Sequence, residues 1–242
     1  MIRQSLAQSP GWGDPDFRWR GGDVSRLEGL TDAAFGVAMA LLIVSTEMPQ
    51  SYQELMRLAK ELPAFAVCFI FLLLPWYAHF KFFRRFGLQD LWTVTLNAAL
   101  LFVVLFYVYP LRFLFTSLFG MWFGLMPAEE LHARMDGPTH PIMLMYGSGL
   151  VALFGLLALL NWHGYRKRVQ LELNEIEIYL TRAEIRYHLI YVLVAAASVI
   201  MTLAGVHMMW AGFVYMLYAP LHFWAGFSSG RGLERLKERV SS

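Results

Sequence analysis

Apolar residues fall along this chain in long unbroken blocks, not in alternation. The blocks span residues 29–48, 62–83, 91–119, 141–162, 190–206 and 207–227. Each approaches or exceeds the roughly 20 residues a helix needs to cross a hydrocarbon core of about 30 Å. Backbone amides in hydrocarbon must be satisfied within the protein, and no block shows the period-two pattern of a barrel strand. The pattern therefore predicts an all-α, polytopic membrane protein of six transmembrane helices. The last two blocks meet at Gly205-Val206-His207 with almost no spacer. Two spans of ordinary length joined by a tight hairpin are predicted there in preference to one very long helix.

The polar segments between the blocks give the expected topology. Residues 1–25 hold Pro10, Gly11, Gly13, Pro15, Gly21 and Gly22 among scattered charges, which reads as a flexible cytoplasmic arm without a signal-peptide core. Residues 26–227 read as the transmembrane domain and 228–242 as a basic cytoplasmic tail. Six crossings put both termini on one side, and 16 of the 20 basic residues then fall on that side. They cluster in the arm (Arg3, Arg18, Arg20, Arg26), at the second link (Lys81, Arg84, Arg85), in the fourth link (Arg166, Lys167, Arg168, Arg182, Arg186) and in the tail (Arg231, Arg235, Lys237, Arg239). Arg57, Lys60, Arg112 and Arg134 remain for the other side. An excess of Lys and Arg marks the cytoplasmic face, so both termini are expected to be cytoplasmic. These clusters flank spans, which favours topology signals and lipid contacts over nucleic acid. The fourth link reads as a cytoplasmic extension of its two helices, and residues 120–140 read as an external loop.

Composition closes off other classes. The chain has 242 residues, 57% hydrophobic and 16% charged, with a mean hydropathy of +0.47, too apolar to cover a soluble globule. Cys68 is the only cysteine and lies in an apolar run; it reads as a small core residue, and neither an intrachain disulfide nor a cysteine-based zinc site is available. His79 has no second histidine at metal spacing, and His207 and His222 lie too far apart to share an ion. No nucleophile with a base, phosphate-cradling glycine loop or carboxylate pair occurs. The reading is therefore not an enzyme, with no cofactor and no metal.

Ionisable groups inside a span are costly and are functional candidates. Asp32 lies about one turn inside the first span, either as a helix cap or in an interior network; Arg26 precedes it by six residues. Trp76 and His79, three apart, share a face of the second span, and Asn97 lies inside the third. Arg26, Thr31, Asp32, Trp76, His79 and Asn97 are expected to form one polar network joining the first three helices near the cytoplasmic side.

The stretch Arg26-x-x-x-Leu30-Thr31-Asp32-x-x-Phe35 resembles the Arg-x-x-x-Phe-Ser-Asp-x-x-Phe-Ala signature of the lysosomal potassium channel family (transmembrane protein 175) and its six-helix bacterial relatives. Trp76-x-x-His79 before Arg84 and Arg85, then Asp90, Asn97 and Pro110, is similar to that family's second and third helices. The motifs are specific over residues 26–113. Leu30 stands where the family has Phe, Thr31 for Ser and Gly36 for Ala, so the chain resembles a divergent member. The resemblance implies a homotetrameric, potassium-permeable cation channel of the bacterial plasma membrane, passing potassium and other monovalent cations, with first helices lining the pore. It places the aliphatic constriction at Val37, Leu41 and Val44, with Ala40 beside it where some members carry a Thr hydroxyl. Those three fall at i, i+4 and i+7, a spacing that by itself suits a packing face equally well. An aliphatic ring can gate by dewetting without a carbonyl filter. Two other readings stay open: a structural or regulatory membrane protein of the same fold that no longer conducts, and, less favoured, a proton-coupled transporter using Asp32 and His79.

Overall fold

The computed structural model describes residues 15–44, 49–124, 129 and 139–241. Among them, local signals set most helix ends. α1 (Arg26–Val44) opens on a reciprocal cap: Glu28 N donates to Ser25 Oγ at 3.1 Å and Ser25 N donates to Glu28 Oε2 at 2.9 Å. α2 (Tyr52–Lys60) starts on the same Ser-x-x-Glu spacing, with Ser51 accepting from Glu54 N. α3 (Leu62–Phe86) has Pro63 in its first turn, where the missing N–H costs nothing, and closes on Gly87 at φ 60°. α4 (Leu91–Phe123) is capped by Asp90 and ends at Gly124, φ 61°. α5 (Thr139–Arg166) and α6 (Glu175–Leu203), the latter with an Asn174–Glu177 capping box, are joined by turns. A short α7 (Met208–Phe213), a 3-10 turn (Val214–Leu217) and α8 (Tyr218–Ser241) complete the chain.

The described residues are helical with no strand, and the protein is a multi-pass membrane protein. α3, α4, α5 from Pro141 and α6 are each long and apolar enough to cross a membrane. The chain breaks between α6 and α7, as the tight-hairpin reading expected, with Gly205 at φ 75°. A second break was not foreseen: Pro220 sits in the first turn of α8 behind the 3-10 segment, where a proline is tolerated, because it has no N–H to bond the Met216 carbonyl and so cannot continue a helix from the residues before it.

α1, α3 and α4 pack on one another, α5 lies along α4 and α3, α6 runs against α5, and α8 rests on α6. This leaves α1 at one edge of the protomer and α8 at the other. Phe35, Leu42, Leu72, Leu100, Val104, Val108, Leu157 and Leu160 fill the shared core. Cys68 is buried there with its Sγ 3.7 Å from the Leu111 carbonyl.

Three features depart from the sequence reading. α2 forms where only a link was expected, on a Ser51/Glu54 signal that hydropathy blocks ignore. The arm, expected to be flexible, is docked over residues 17–22: Phe17 is buried, 5.7 Å edge-on to Phe86, and Arg20 N and Gly21 N donate to the Arg84 carbonyl at 3.0 and 3.1 Å. The end of α3 thus receives donors that its own helix cannot supply. The tail does not begin as a separate unit at residue 228, since α8 runs unbroken to Ser241. Residues 1–14, with Arg3, and Arg134 lie outside the described residues.

Asp90 ties α4 to α5. It accepts from Thr93 N, from Lys167 Nζ at 2.7 Å and from His163 Nε2 at 2.8 Å. Partial burial alone would raise its carboxyl, but the bonds from Lys167, Thr93 and His163 outweigh burial and hold it below the usual carboxylate range. A depressed carboxyl stabilises the fold above the ordinary carboxylate range, and that contribution fades as pH falls through the lowered value. Asp90→Asn keeps a cap acceptor and is expected to cost about 1 kcal/mol at neutral pH, a difference in melting temperature that narrows steadily on acidification.

Candidate functional site

α1 divides sharply into two faces. Thr31, Phe35, Ala38 and Leu42 are buried against α3 and α4. Gly29, Leu30, Ala33, Gly36, Val37 and Ala40 are exposed, and Val37 is 53% exposed although it lies mid-helix. A Cβ added to Gly29 or Gly36 would meet nothing within 4 Å, so packing within the protomer does not demand their small size. Of the expected constriction, Val37 stands open with Ala40 beside it. Leu41 is half-buried and packs partly on the core. The side chain of Val44 lies outside the described residues.

The opposite face carries the polar groups. Asn97, Thr31 and His79 are all fully buried. Asn97 Nδ2 donates to Thr31 Oγ1 at 2.9 Å, and the Thr31 hydroxyl donates to the Leu27 carbonyl at 2.9 Å. Asn97 Oδ1 accepts from His79 Nε2 at 2.7 Å, which places the ring proton on Nε2. This chain joins α4, α1 and α3. Asp32 makes a separate bond, accepting from Trp76 Nε1 at 2.9 Å; Trp76 and His79 are neighbours on one face of α3. The structure therefore brings together five of the six expected network residues as two adjacent links. Arg26 is not among them: it points outward, and among the described residues it has no partner. Six residues of helix set it about 120° from Asp32 around the axis.

Asn97→Ala strips the shared partner from two buried groups. About 2–3 kcal/mol of stability is expected to go with it, read as a lower melting temperature of purified protein, whereas Thr31→Ser, which keeps the hydroxyl, should cost far less.

Further charges fix the two ends of α1, and the sequence reading missed their role. At the N-terminal end Glu28, already in the cap, pairs with Arg84 at 3.2 Å. Arg84 Nη1 donates to the Gly22 carbonyl at 2.8 Å, and Arg20 reaches Glu177 of α6 at 2.6 Å. At the other end Arg112 of α4 donates to the Leu42 carbonyl at 2.7 Å and pairs with Glu61 at 3.5 Å. Arg112 was legible as a charge inside an apolar block; Glu28 was legible in Ser25-x-x-Glu28. Lys81 and Arg85 of α3 also meet Glu184 of α6, and Lys237 and Arg239 of α8 meet Asp16 and Glu175. The four basic clusters counted on one side by sequence thus converge at one end of the bundle.

Residues 26–107, the stretch holding the open face and the polar network, match the model of the endosomal/lysosomal potassium channel TMEM175. A potassium channel of Marivirga tractuosa is 33% identical over 238 residues, covering 92% of this chain and 94% of that one. The chain belongs to the TMEM175 family. The crystal structure of a T38A variant of the potassium channel MtTMEM175, in complex with a nanobody–MBP fusion, superposes with a TM-score of 0.79 at 34% identity, over 90% of this chain and 98% of that one. A lysosomal potassium-selective channel TMEM175 homologue from Chamaesiphon minutus aligns at a TM-score of 0.47 and 19% identity, over 80% of this chain and 96% of that one. As in the sequence resemblance, the TMEM175 match begins at Arg26 and runs into the third apolar block, where α1, α3 and α4 are bonded together.

Proposed function

We propose that this TMEM175 member is a potassium-permeable cation channel, a homotetramer whose pore is lined by four copies of α1. The observation that carries the reading is the open face of α1. Gly29, Ala33, Gly36 and Ala40 recur at i, i+4, i+7 and i+11 on an edge helix, and nothing in the protomer requires their smallness. Small residues let neighbouring membrane helices approach closely. Leu30 and Val37 rise beside that stripe, and rings of Val37, with Leu41 and Val44 above, form the aliphatic constriction. Water leaves such a ring readily, so conduction is small and limited by hydration there. Thr31, Asn97 and His79 act from behind, and the exposed Asp32–Trp76 bond from the side, holding the lining helix to α3 and α4. The family membership and the potassium channels among its relatives support the ion.

In this reading the chain crosses the bacterial plasma membrane six times, with both termini and all four basic clusters cytoplasmic. Purified protein in potassium-loaded liposomes tests it: efflux should appear when a proton carrier is added to balance charge. No flux under any gradient, with intact tetramers, would point instead to a non-conducting structural member, a role that Ala40, lacking a hydroxyl, would suit. Assembly is tested apart from flux. Gly36→Leu should leave the protomer folded but reduce the tetramer on size-exclusion chromatography with light scattering.

A further inference from the structure

We propose that Arg166, Arg168 and Arg182, gathered around Tyr165 and Trp162 where α5 turns into α6, bind the phosphate headgroup of an anionic membrane lipid. The first ground is charge pairing along this link. Its carboxylates are engaged elsewhere: Glu172 leans to Arg18, Glu175 pairs with Arg239, Glu177 with Arg20, and Glu184 with Lys81 and Arg85. Lys167, in the same basic triplet, is neutralised by Asp90. Arg166, Arg168 and Arg182 are left with no ion pair among the described residues.

The second ground is that aromatic rings hold these arginines. Arg168 and Arg182 lie 4.7 and 5.1 Å from the centroid of the same Tyr165 ring, and Arg182 also donates to the Tyr165 hydroxyl. Arg166 lies 4.8 Å from the Trp162 ring. Arg168 Nη1 donates to the Tyr165 carbonyl at 3.3 Å, so Arg168 and Arg182 each spend one N–H on Tyr165 and keep the others for phosphate, and a guanidinium stacked on a ring has already lost much of its rotamer freedom.

The third ground is depth. Trp162 and Leu189, on α5 and α6 on the bilayer side of these arginines, expose apolar surface, and a Trp with an Arg one turn beyond it marks the headgroup level. Val169, next to Arg168, is also exposed. A soluble phosphate would gain nothing from these apolar neighbours, whereas a lipid brings acyl chains to them.

Native mass spectrometry of the full-length protein, titrated with phosphatidylglycerol and then phosphatidylcholine, tests the site without reference to conduction, so it stands or falls apart from the channel reading. Arg168→Gln/Arg182→Gln should retain phosphatidylglycerol roughly tenfold or more less well, with phosphatidylcholine unchanged. Arg235→Gln, an arginine of the tail without an ion pair among the described residues, should match wild type. Should the double Gln variant fail to fold, Arg168→Lys/Arg182→Lys keeps the charge but loses the planar fork, and a clear drop in retention is expected there as well. Equal loss in Arg235→Gln, retention in the double Lys variant equal to wild type, or displacement of the lipid by millimolar inorganic phosphate would each overturn the proposal.

Discussion

Val37→Ala is expected to raise potassium flux through proteoliposomes several-fold while leaving the melting temperature close to that of wild type; Leu42→Ala should do the reverse. Both residues lie on α1, five positions apart, but Val37 is 53% exposed in the protomer and Leu42 only 1%. Truncating Leu42 removes transfer energy and leaves a cavity against α4, at a cost of about 2–5 kcal/mol. For a chain of this size that lowers melting by roughly 5 °C or more. Truncating Val37 empties no core and widens the proposed ring, so the barrier to hydrated ions falls. Leu41→Ala, half-buried, should show some of each effect. Flux and melting measured on the same preparations decide the matter: higher flux from Leu42→Ala, with Val37→Ala merely unstable, would put the pore on the wrong face.

Glu177→Ala should be the most damaging single charge removal in the ion-pair network that joins the arm, α3 and α6. The Glu177 side chain is 1% exposed and that of Arg20 11%. The carboxylate accepts from Arg20 Nη1 and Nη2 at 2.9 and 2.6 Å, from Arg18 N at 2.9 Å and from Asn174 N at 3.0 Å. Losing one member of a buried pair strands the other, at about 3–5 kcal/mol. The arm that docks through Arg20 also supplies donors to the end of α3, so its release would loosen α1 as well. Glu175→Ala breaks an exposed pair with Arg239 and should shift stability by no more than about 0.5 kcal/mol. The double change Arg20→Met/Glu177→Leu, which leaves no stranded charge, should melt above Glu177→Ala. Thermal unfolding followed by tryptophan fluorescence provides the comparison.

The contrast between these two tests shows where sequence reasoning reached and where it stopped. Thr31, His79 and Asn97 were readable as partners because polar groups inside apolar blocks have few ways to be satisfied. Arg26 was placed in the same network on the reach of its long side chain, yet helical rotation leaves it exposed. The 17–22 segment looked flexible because Pro and Gly recur through the arm among scattered charges, with no apolar block. Its docking depends on Phe17 meeting Phe86, and on Arg20 meeting Glu177 at a sequence separation of 157, and no local window contains such a pair. α2 was visible in a four-residue cap signal but had no apolar block to draw attention to it.

By itself the sequence determined that the chain is helical and membrane-embedded, where its long spans fall, which basic clusters share an end, and which family its first three apolar blocks resemble. These follow from hydrocarbon solvation of the backbone and from charge, properties that act residue by residue. Only the tertiary structure decided which side of α1 is free. Val37, Leu41 and Val44 share one stripe by spacing, and the spacing is indifferent to whether that stripe packs or opens. The packing of Phe35, Ala38 and Leu42 onto α3 and α4 turns the helix so that Val37 and Ala40 face outward and Leu41 falls at the margin. That rotation is set by the sum of contacts among three helices far apart in the chain, which is why it could not be read from any one of them.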